Sequence, residues 1–353
     1  MDSLRETLRA ITPANEAAMV AARERWDARA KPLGSLGTLE DMVVRIAGVT
    51  GTSDVCIDRR ALIVACADNG VTARRVSAAD AAVTRTMAAA IGAGKSTVCV
   101  MAHHACCDVV PVDVGMLAGP ALPGVDVRTI RSGTGDITVG PALSREECVA
   151  AVELGIELVR EQVARGMQLI LVGEMGIGNT TTSCAVASAL YGRTPRSLVG
   201  PGAGLSYAGM ARKIAALDEA LAVNRPHPDD VLGTMAAVGG LDIAALCGIC
   251  LGGALHRVPV LLDGVITLVA AVCATRLCPD CADALLASHV SAEPMAPLLL
   301  DELNLAAPID AGLRLGEGTG AVAALTLLDL ALAAYRETGS FDELAIDSYD
   351  PLA

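Results

Sequence analysis

At 353 residues the chain can bury a large core in one domain or two, and 53% of it is apolar. Aromatics are only 2%, so that core must be packed from Ala, Val, Leu and Ile. A formal charge of −13, with no cluster of Lys and Arg interleaved with aromatics, speaks against a nucleic-acid partner, because phosphate backbones are gripped by massed positive charge.

The first thirty residues read as helix, with Leu4, Leu8, Ile11, Met19 and Val20 spaced for one face. A turn-rich loop, residues 31–37, precedes a second helix from about Thr38. The chain then alternates. Five short β-like runs, at 61–67, 108–112, 168–173, 258–262 and 284–287, each lead into a polar residue: Asp68, Asp113, Glu174, Asp263, and Ser288 with His289. Between them lie Ala-rich helical segments such as 81–93, 145–165 and 181–190. Alternation of this kind implies a three-layer, mostly parallel, Rossmann-like α/β sheet with helices on both faces. Ligands then bind outside the carboxyl ends of the strands, where the polar residues would converge. For any one of them the alternative is a cap on the following helix. The break at 224–230, with Pro226 and Pro228, is a connection rather than a linker, and Asp229-Asp230 reads as a solvated turn. One domain spanning 1–353 is expected, with an α/β core at 40–310. The segments 1–39 and 311–353, including a last helix at 321–338, would pack together as a small helical subdomain.

A mean hydropathy of +0.50 raises the question of a membrane span, which needs ~20 mostly apolar residues. The longest candidate, residues 264–274, is bracketed by Asp263 and Arg276 and falls well short. The polar start, Met1-Asp2-Ser3-Leu4-Arg5-Glu6, is unlike a secretory leader. No membrane partner and a cytoplasmic location are expected. Twelve cysteines in a chain this long are not a disulfide framework. Most, such as Cys66, Cys99, Cys184 and Cys273, sit in apolar runs, where Cys packs as a small hydrophobe. Cys247/Cys250 and Cys278/Cys281 have paired C-x-x-C spacing. The first pair lies in a small-residue helical stretch without knuckle glycines, so core packing is preferred to zinc.

Three glycine runs carry the chemistry. Gly173-Glu174-Met175-Gly176-Ile177-Gly178-Asn179-Thr180-Thr181-Thr182 follows a strand and opens a helix, where free N–H groups attract anions. It is neither a Walker loop nor a dinucleotide fingerprint. By composition, a phosphate or ribose site and a plain junction stand level. Gly200-Pro201-Gly202-Ala203-Gly204 precedes Lys213 on a predicted helix; that lysine either neutralises a phosphate or is an ordinary surface residue. Leu315-Gly316-Glu317-Gly318-Thr319-Gly320 opens the final apolar helix. Its Glu reads as a functional carboxylate or as one stabilised by the helix dipole.

In this order, the blocks KPLGSLGTLE (31–40), 68–77, 112–116, GEMGIGNTTT (173–182), 200–213, 263–274, SHVSAE (288–293) and GEGTG (316–320) resemble the nicotinate-nucleotide:dimethylbenzimidazole phosphoribosyltransferases over roughly residues 30–340. The resemblance implies transfer of phosphoribose from nicotinate mononucleotide to an aromatic lower-ligand base of a cobamide. Nicotinate is released, and an α-ribazole-type 5′-phosphate forms with inversion at C1′. Glu317 falls on the family's general base and Glu174 on a second carboxylate that orients base or ribose. Gly176, Gly178, Asn179, Thr180, Gly202, Gly204, Lys213 and Ser291 would hold phosphate and ribose, while Ser77, Thr86, Met175, Leu315 and Gly316 would form the base pocket. No cofactor or metal is implied, because the leaving group is a pyridinium rather than pyrophosphate. A homodimer is expected, and a heterodimer with a paralogue is the variant.

Three positions depart from the family. Its Gly-Asp-His-Gly-Val is here Ala67-Asp68-Asn69-Gly70-Val71, its usual Gln is Thr86, and an Arg of the second glycine run is Pro201. With Glu174, Lys213 and Glu317 intact, the expectation is retained nucleotide chemistry with a shifted base preference, a phenolic base included. The competing readings are a non-catalytic paralogue in a heterodimer and an unrelated nucleotide-binding α/β protein. Of the five histidines, His289 alone stands at a strand end within a family block; His103, His104, His227 and His256 read as structural or exposed.

Overall fold

A computed structural model describes residues 2–202 and 204–349. Met1, Ala203 of the second glycine run, and the last four residues of the 311–353 segment lie outside the described residues. The central strand β1 (Arg60–Ala67) is buried at every position, which is why it reads as a continuous apolar run rather than an alternating one. It pairs in parallel with β2 (Asp108–Gly115) on one side and β4 (Leu169–Met175) on the other. Beyond these lie β3 (Asp126–Val127), then β5 (Val260–Leu262) and β6 (Leu285–Ala287). Among the described residues the sheet has six strands, ordered β3-β2-β1-β4-β5-β6. The chain winds outward from β1 to β3, returns to β4 and winds the other way. A crevice therefore opens between the carboxyl ends of β1 and β4.

Helices cover both faces. They run α1 (Asp2–Ala10), α2 (Glu16–Asp27), α3 (Thr38–Thr50), α4 (Ala82–Gly92), α5 (Thr97–His104), α6 (Arg145–Ala164), α7 (Asn179–Tyr191) and α8 (Pro195–Leu198). Then follow α9 (Tyr207–Asn224), α10 (Val231–Val238), α11 (Leu241–Leu255), α12 (Val265–Leu277), α13 (Ala296–Glu302), α14 (Thr319–Glu337) and α15 (Phe341–Leu344). Along β1, Ala61, Ile63 and Ala65 enter the core made with α6, α7, α11 and α12. Leu62, Val64 and Cys66 enter the other, made with α3, α4, α5 and α14. Small residues let these layers close. A methyl on Gly155 of α6 would meet Ala245 O at 2.1 Å, and one on Gly248 of α11 would meet Val152 O at 2.0 Å, so the two helices cross backbone to backbone. A core with so few aromatics is filled by close approach instead of by large side chains.

Three expectations need correction. The single N-terminal helix is two, separated at residues 11–15; Pro13 lies in the break, and Asn15 restarts the helix by accepting the Ala18 N–H at 2.9 Å. β3 was not anticipated, because a two-residue strand in a Pro- and Gly-rich loop has no periodicity to read. The apolar run at 264–274 is not the longest candidate span: α14 is long and apolar enough to cross a membrane, although more than half of it is buried in the fold.

All twelve cysteines are free thiols. Cys247, Cys250, Cys278 and Cys281 are buried, and among the described residues no three His, Cys, Asp or Glu side chains group as a metal site. The two chain ends are sewn together. Trp26 packs its ring 4.9 Å from that of Tyr335. Arg29 donates to the carbonyls of Tyr335 (2.9 Å), Thr338 (2.7 Å) and Arg336 (3.2 Å), satisfying the open end of α14.

Candidate active site

A cavity of about 400 Å³ occupies the crevice at the carboxyl ends of the strands. Its lining includes the apolar residues Ala79, Val83, Met87, Met175, Ile177 and Leu315. It also includes the polar residues Glu174, Asn179, Thr180, Asp263, Ser291 and Glu317. Such a mixed lining suits a ligand with an apolar part and a hydroxylated, charged part.

Glu174 comes from the end of β4. Burial pushes its carboxyl up to about 8; the Asn179 side chain opposes this, and the charges of Asp242, Asp263 and Glu317 add to it. The Asn179 Nδ2 donates to its Oε2. Gly178, at φ 96°, sets the turn that starts α7, and Gly176, Asn179 and Thr180 of that turn line the cavity.

Glu317 is held differently. It adopts φ 60°, between Gly316 at φ 89° and Gly318 at φ 91°, a run of left-handed backbone unusual for a glutamate. Asp263, at the end of β5, grips this turn. Its Oδ2 accepts the Gly318 N–H at 3.0 Å, and its Oδ1 accepts those of Gly320 (2.8 Å) and Ala321 (3.2 Å). His289 stands 4.0 Å behind, completing a buried pair. Burial raises the Glu317 carboxyl, opposed by the Val98 backbone and the Ser96 hydroxyl at the start of α5. Its Oε2 is buried without a hydrogen-bond partner.

The two turns interlock through glycine. A methyl on Gly173, next to Glu174, would lie 2.5 Å from Glu317 O; one on Gly316, next to Glu317, would lie 2.7 Å from Glu174 Oε1. Each glutamate is seated where the other's neighbour has no side chain.

Lys213 of α9 is fully buried, which removes the surface-lysine alternative. Its Nζ donates to Thr180 Oγ1 (2.9 Å) and Gly200 O (3.0 Å), joining the α7 start to the second glycine run. Burial lowers its pKa, and the charge of Glu293 works against that. Glu293 Oε1 in turn accepts the Gly202 N–H at 2.8 Å.

Comparison with known proteins fits this arrangement. A family model described as Phosphoribosyltransferase matches residues 11–346. A protein of Ruminiclostridium cellulolyticum named nicotinate-nucleotide–dimethylbenzimidazole phosphoribosyltransferase is 42% identical over 98% of this chain and 99% of its own. One of the same name from Desulforudis audaxviator is 42% identical, with 98% of each chain covered. This chain belongs to that phosphoribosyltransferase family. A crystal structure of CobT from Thermus thermophilus superposes with a TM-score of 0.89 at 38% identity, covering 94% of this chain and all of that one.

In this phosphoribosyltransferase the cavity lining includes Glu317, Glu174, Gly176, Gly178, Asn179, Thr180, Gly202, Ser291, Ser77, Met175, Leu315 and Gly316. Three other predicted residues do not line it. Lys213 lies behind Thr180. Gly204 faces open space at φ 105°. Thr86 is exposed, its hydroxyl turned back to Ala82 O at 3.1 Å, because Val83 and Met87, four apart on α4, take the cavity-facing stripe. Asn69, a second departure from the family, is also off the wall, buried behind the first glycine turn. Asp68 and Asp113 organise loops, accepting the N–H groups of Leu117 (2.7 Å) and Met116 (2.8 Å). Asp229 stands exposed in the turn at 228–229, whereas Asp230 caps α10 and pairs with Arg145 at 2.7 Å. Sequence reasoning missed Asp263 as the clamp of the Glu317 turn, and Glu293; their strand-end and SHVSAE positions were the available signals.

Proposed function

We propose that this phosphoribosyltransferase moves the phosphoribosyl group of nicotinate mononucleotide to an aromatic lower-ligand base, with Glu317 as general base, releasing nicotinate and an α-ribazole-type 5′-phosphate. The observation that carries this is the buried Glu317 carboxylate, whose Oε2 has no partner, set in left-handed backbone in the lining of a cavity that also holds apolar side chains. The base lies against the apolar lining, near Met175 and Leu315, with one ring nitrogen directed at C1′. Glu317 takes the proton from its other nitrogen as the C1′–nicotinate bond breaks. The same charge stabilises the positive character that builds on the ribose. Glu174 orients base or ribose across from it. The start of α7, with Thr180 and Ser291, receives the phosphate and ribose hydroxyls, and Lys213 supplies the countercharge through Thr180.

Burial of Glu317 favours this role. With an ordinary glutamate, taking a proton from a phenol before attack would be uphill by ~8 kcal/mol, so proton transfer must accompany attack. A carboxyl raised by burial narrows that gap and suits benzimidazoles and phenols alike. We further propose a cytoplasmic homodimer; sedimentation of the purified chain would show whether a paralogue is needed. The decisive measurement is nicotinate release by the purified chain alone. Turnover that Glu317→Gln abolishes supports the assignment; no turnover by the wild-type chain with any base, or full turnover by the variant, overturns it.

A further inference from the structure

Three helices that begin at a glycine contribute to the cavity lining, and their first N–H groups are spent differently. At the start of α14, Asp263 accepts those of Gly320 and Ala321, and Gly316 O accepts that of Thr319 at 3.0 Å. At the start of α7, backbone turns take those of Asn179, Thr181 and Thr182 at 3.0, 2.9 and 3.3 Å, which leaves Thr180 alone. The start of α12 is the exception. Gly264, before it, offers no side-chain cap, and the helix ladder begins only with the Leu268 N–H on Gly264 O at 3.0 Å. Among the described residues no acceptor meets the N–H groups of Val265, Ile266 and Thr267, and all three residues line the cavity. Helix starts of this kind attract anions.

Two buried side chains border the same spot. His289, at the end of β6, is 4% exposed and lines the cavity. Its Nδ1 lies 2.9 Å from the Ser288 hydroxyl, whereas its Nε2 makes no hydrogen bond among the described residues. A methyl on Gly264 would find only His289 Nε2 at 3.9 Å, His289 Cε1 at 4.0 Å and Ser291 Oγ at 3.8 Å, so the space beside Gly264 is clear and edged by these groups. With Ser288 donating to Nδ1, the ring proton sits on Nε2. Ser291 Oγ accepts the Glu293 N–H at 3.4 Å, and its own proton is left to donate.

We propose that the start of α12 is an oxyanion subsite for the nucleotide: the N–H groups of Val265, Ile266 and Thr267, joined by His289 Nε2 and Ser291 Oγ, hold the phosphate or the ring carboxylate of nicotinate mononucleotide. The inference rests on the substrate reading given above and gives His289 a binding role within it. Four carboxyls line the cavity, those of Glu174, Asp263, Glu293 and Glu317, and they repel a nucleotide that carries two anionic groups. A cluster of unspent donors offsets that repulsion at one point. Asp263 does not compete for His289, since it stands 4.0 Å from Nδ1, on the other ring nitrogen, and its oxygens are taken up by the N–H groups at the start of α14.

The test is calorimetric binding of two half-substrates, nicotinate and ribose 5-phosphate, to the purified chain. Gly264→Ala puts a methyl into the clear space with no contact closer than 3.8 Å and at an ordinary φ of −92°, so the fold tolerates it. It is expected to raise the Kd of the ligand whose oxyanion sits there by about tenfold or more, the scale of a lost charge-assisted hydrogen bond, and to leave the other ligand as it was. His289→Leu should weaken the same ligand by about tenfold, and His289→Gln, which still carries a donor, should restore most of that loss. Weakened nicotinate puts the carboxylate at α12, and weakened ribose 5-phosphate puts the phosphate there; either result supports the subsite. Unchanged binding of both ligands in Gly264→Ala overturns it, as do equal losses for both or a wild-type chain that binds neither. None of these measurements needs turnover. A wild-type chain that releases no nicotinate defeats the Glu317 assignment, and the binding comparison still decides the subsite.

Discussion

The turn bearing Glu174 and the turn bearing Glu317 have nearly the same composition, a glutamate among glycines at the start of a helix, yet they are built on opposite plans. Glu174 sits in ordinary strand backbone and is controlled through its side chain, by Asn179 and by surrounding carboxyls. Glu317 is controlled through its main chain, by left-handed geometry and the grip of Asp263 on three N–H groups. A carboxyl tuned by neighbours is held in a chosen protonation state, whereas one placed by its backbone is held in a chosen position. On the roles proposed above, the group that orients the substrate has the first kind of control and the base has the second.

The sharpest way to break this contrast is to neutralise each carboxyl in turn. Glu317→Gln is expected to lower kcat/KM by ~10²–10⁴-fold, the usual range for losing a general base. Glu174→Gln, which keeps a donor in place, should cost less than the first substitution by at least about tenfold in the same nicotinate-release assay. Equal losses would mean that the two residues share one role.

Next come the clamps. Asp263→Ala leaves three N–H groups without their acceptor and should destabilise the chain by about 2–4 kcal/mol in urea unfolding. It should lower kcat more than it raises KM for the nucleotide. Gly173→Ala forces a methyl to 2.5 Å from the Glu317 carbonyl and cannot be relieved by a rotamer. It should cost roughly 1–3 kcal/mol and, by displacing the base, about 10²-fold in rate. Wild-type rates for Gly173→Ala would show that the position of the Glu317 turn is not critical.

Protonation gives a smaller but distinctive effect. Glu174 folded is raised above its unfolded value, so its contribution to stability is complete below about 4.5 and is lost as pH rises through about 8. The melting temperature of the wild-type protein should therefore fall across that window, and Glu174→Gln should flatten the decline. The smallest effect is expected at Thr86. Thr86→Ala should change stability by no more than about 0.5 kcal/mol and leave the choice among benzimidazole, adenine and p-cresol as it was. A changed choice would put Thr86 back among the residues that select the base.

Much of this was legible in the residues. The five longer strands announced themselves as apolar runs ending in polar residues, and the Glu174 and Glu317 turns as glycine runs at helix starts. Pattern alone does not reveal which strand-end acid serves the ligand. Asp68 and Asp113 look like Asp263 in sequence, and only the winding of the sheet separates loop anchors from the clamp. Thr86 was misplaced because a family position on a helix says nothing of which stripe faces inward, whereas Val83 and Met87 settle it by their spacing. Lys213 was ambiguous for a related reason. Whether a lysine is buried depends on partners remote in sequence, here Thr180 and Gly200.

Trp26 is the single tryptophan of the chain, and it lies against Tyr335 where the two chain ends meet, far in sequence from every residue that lines the cavity. Its emission is therefore a private gauge of that seam. A melt followed by tryptophan fluorescence reports when the ends part company, and one followed by circular dichroism reports the loss of helix as a whole. Coincident curves would mean that the seam and the sheet come apart as one cooperative unit.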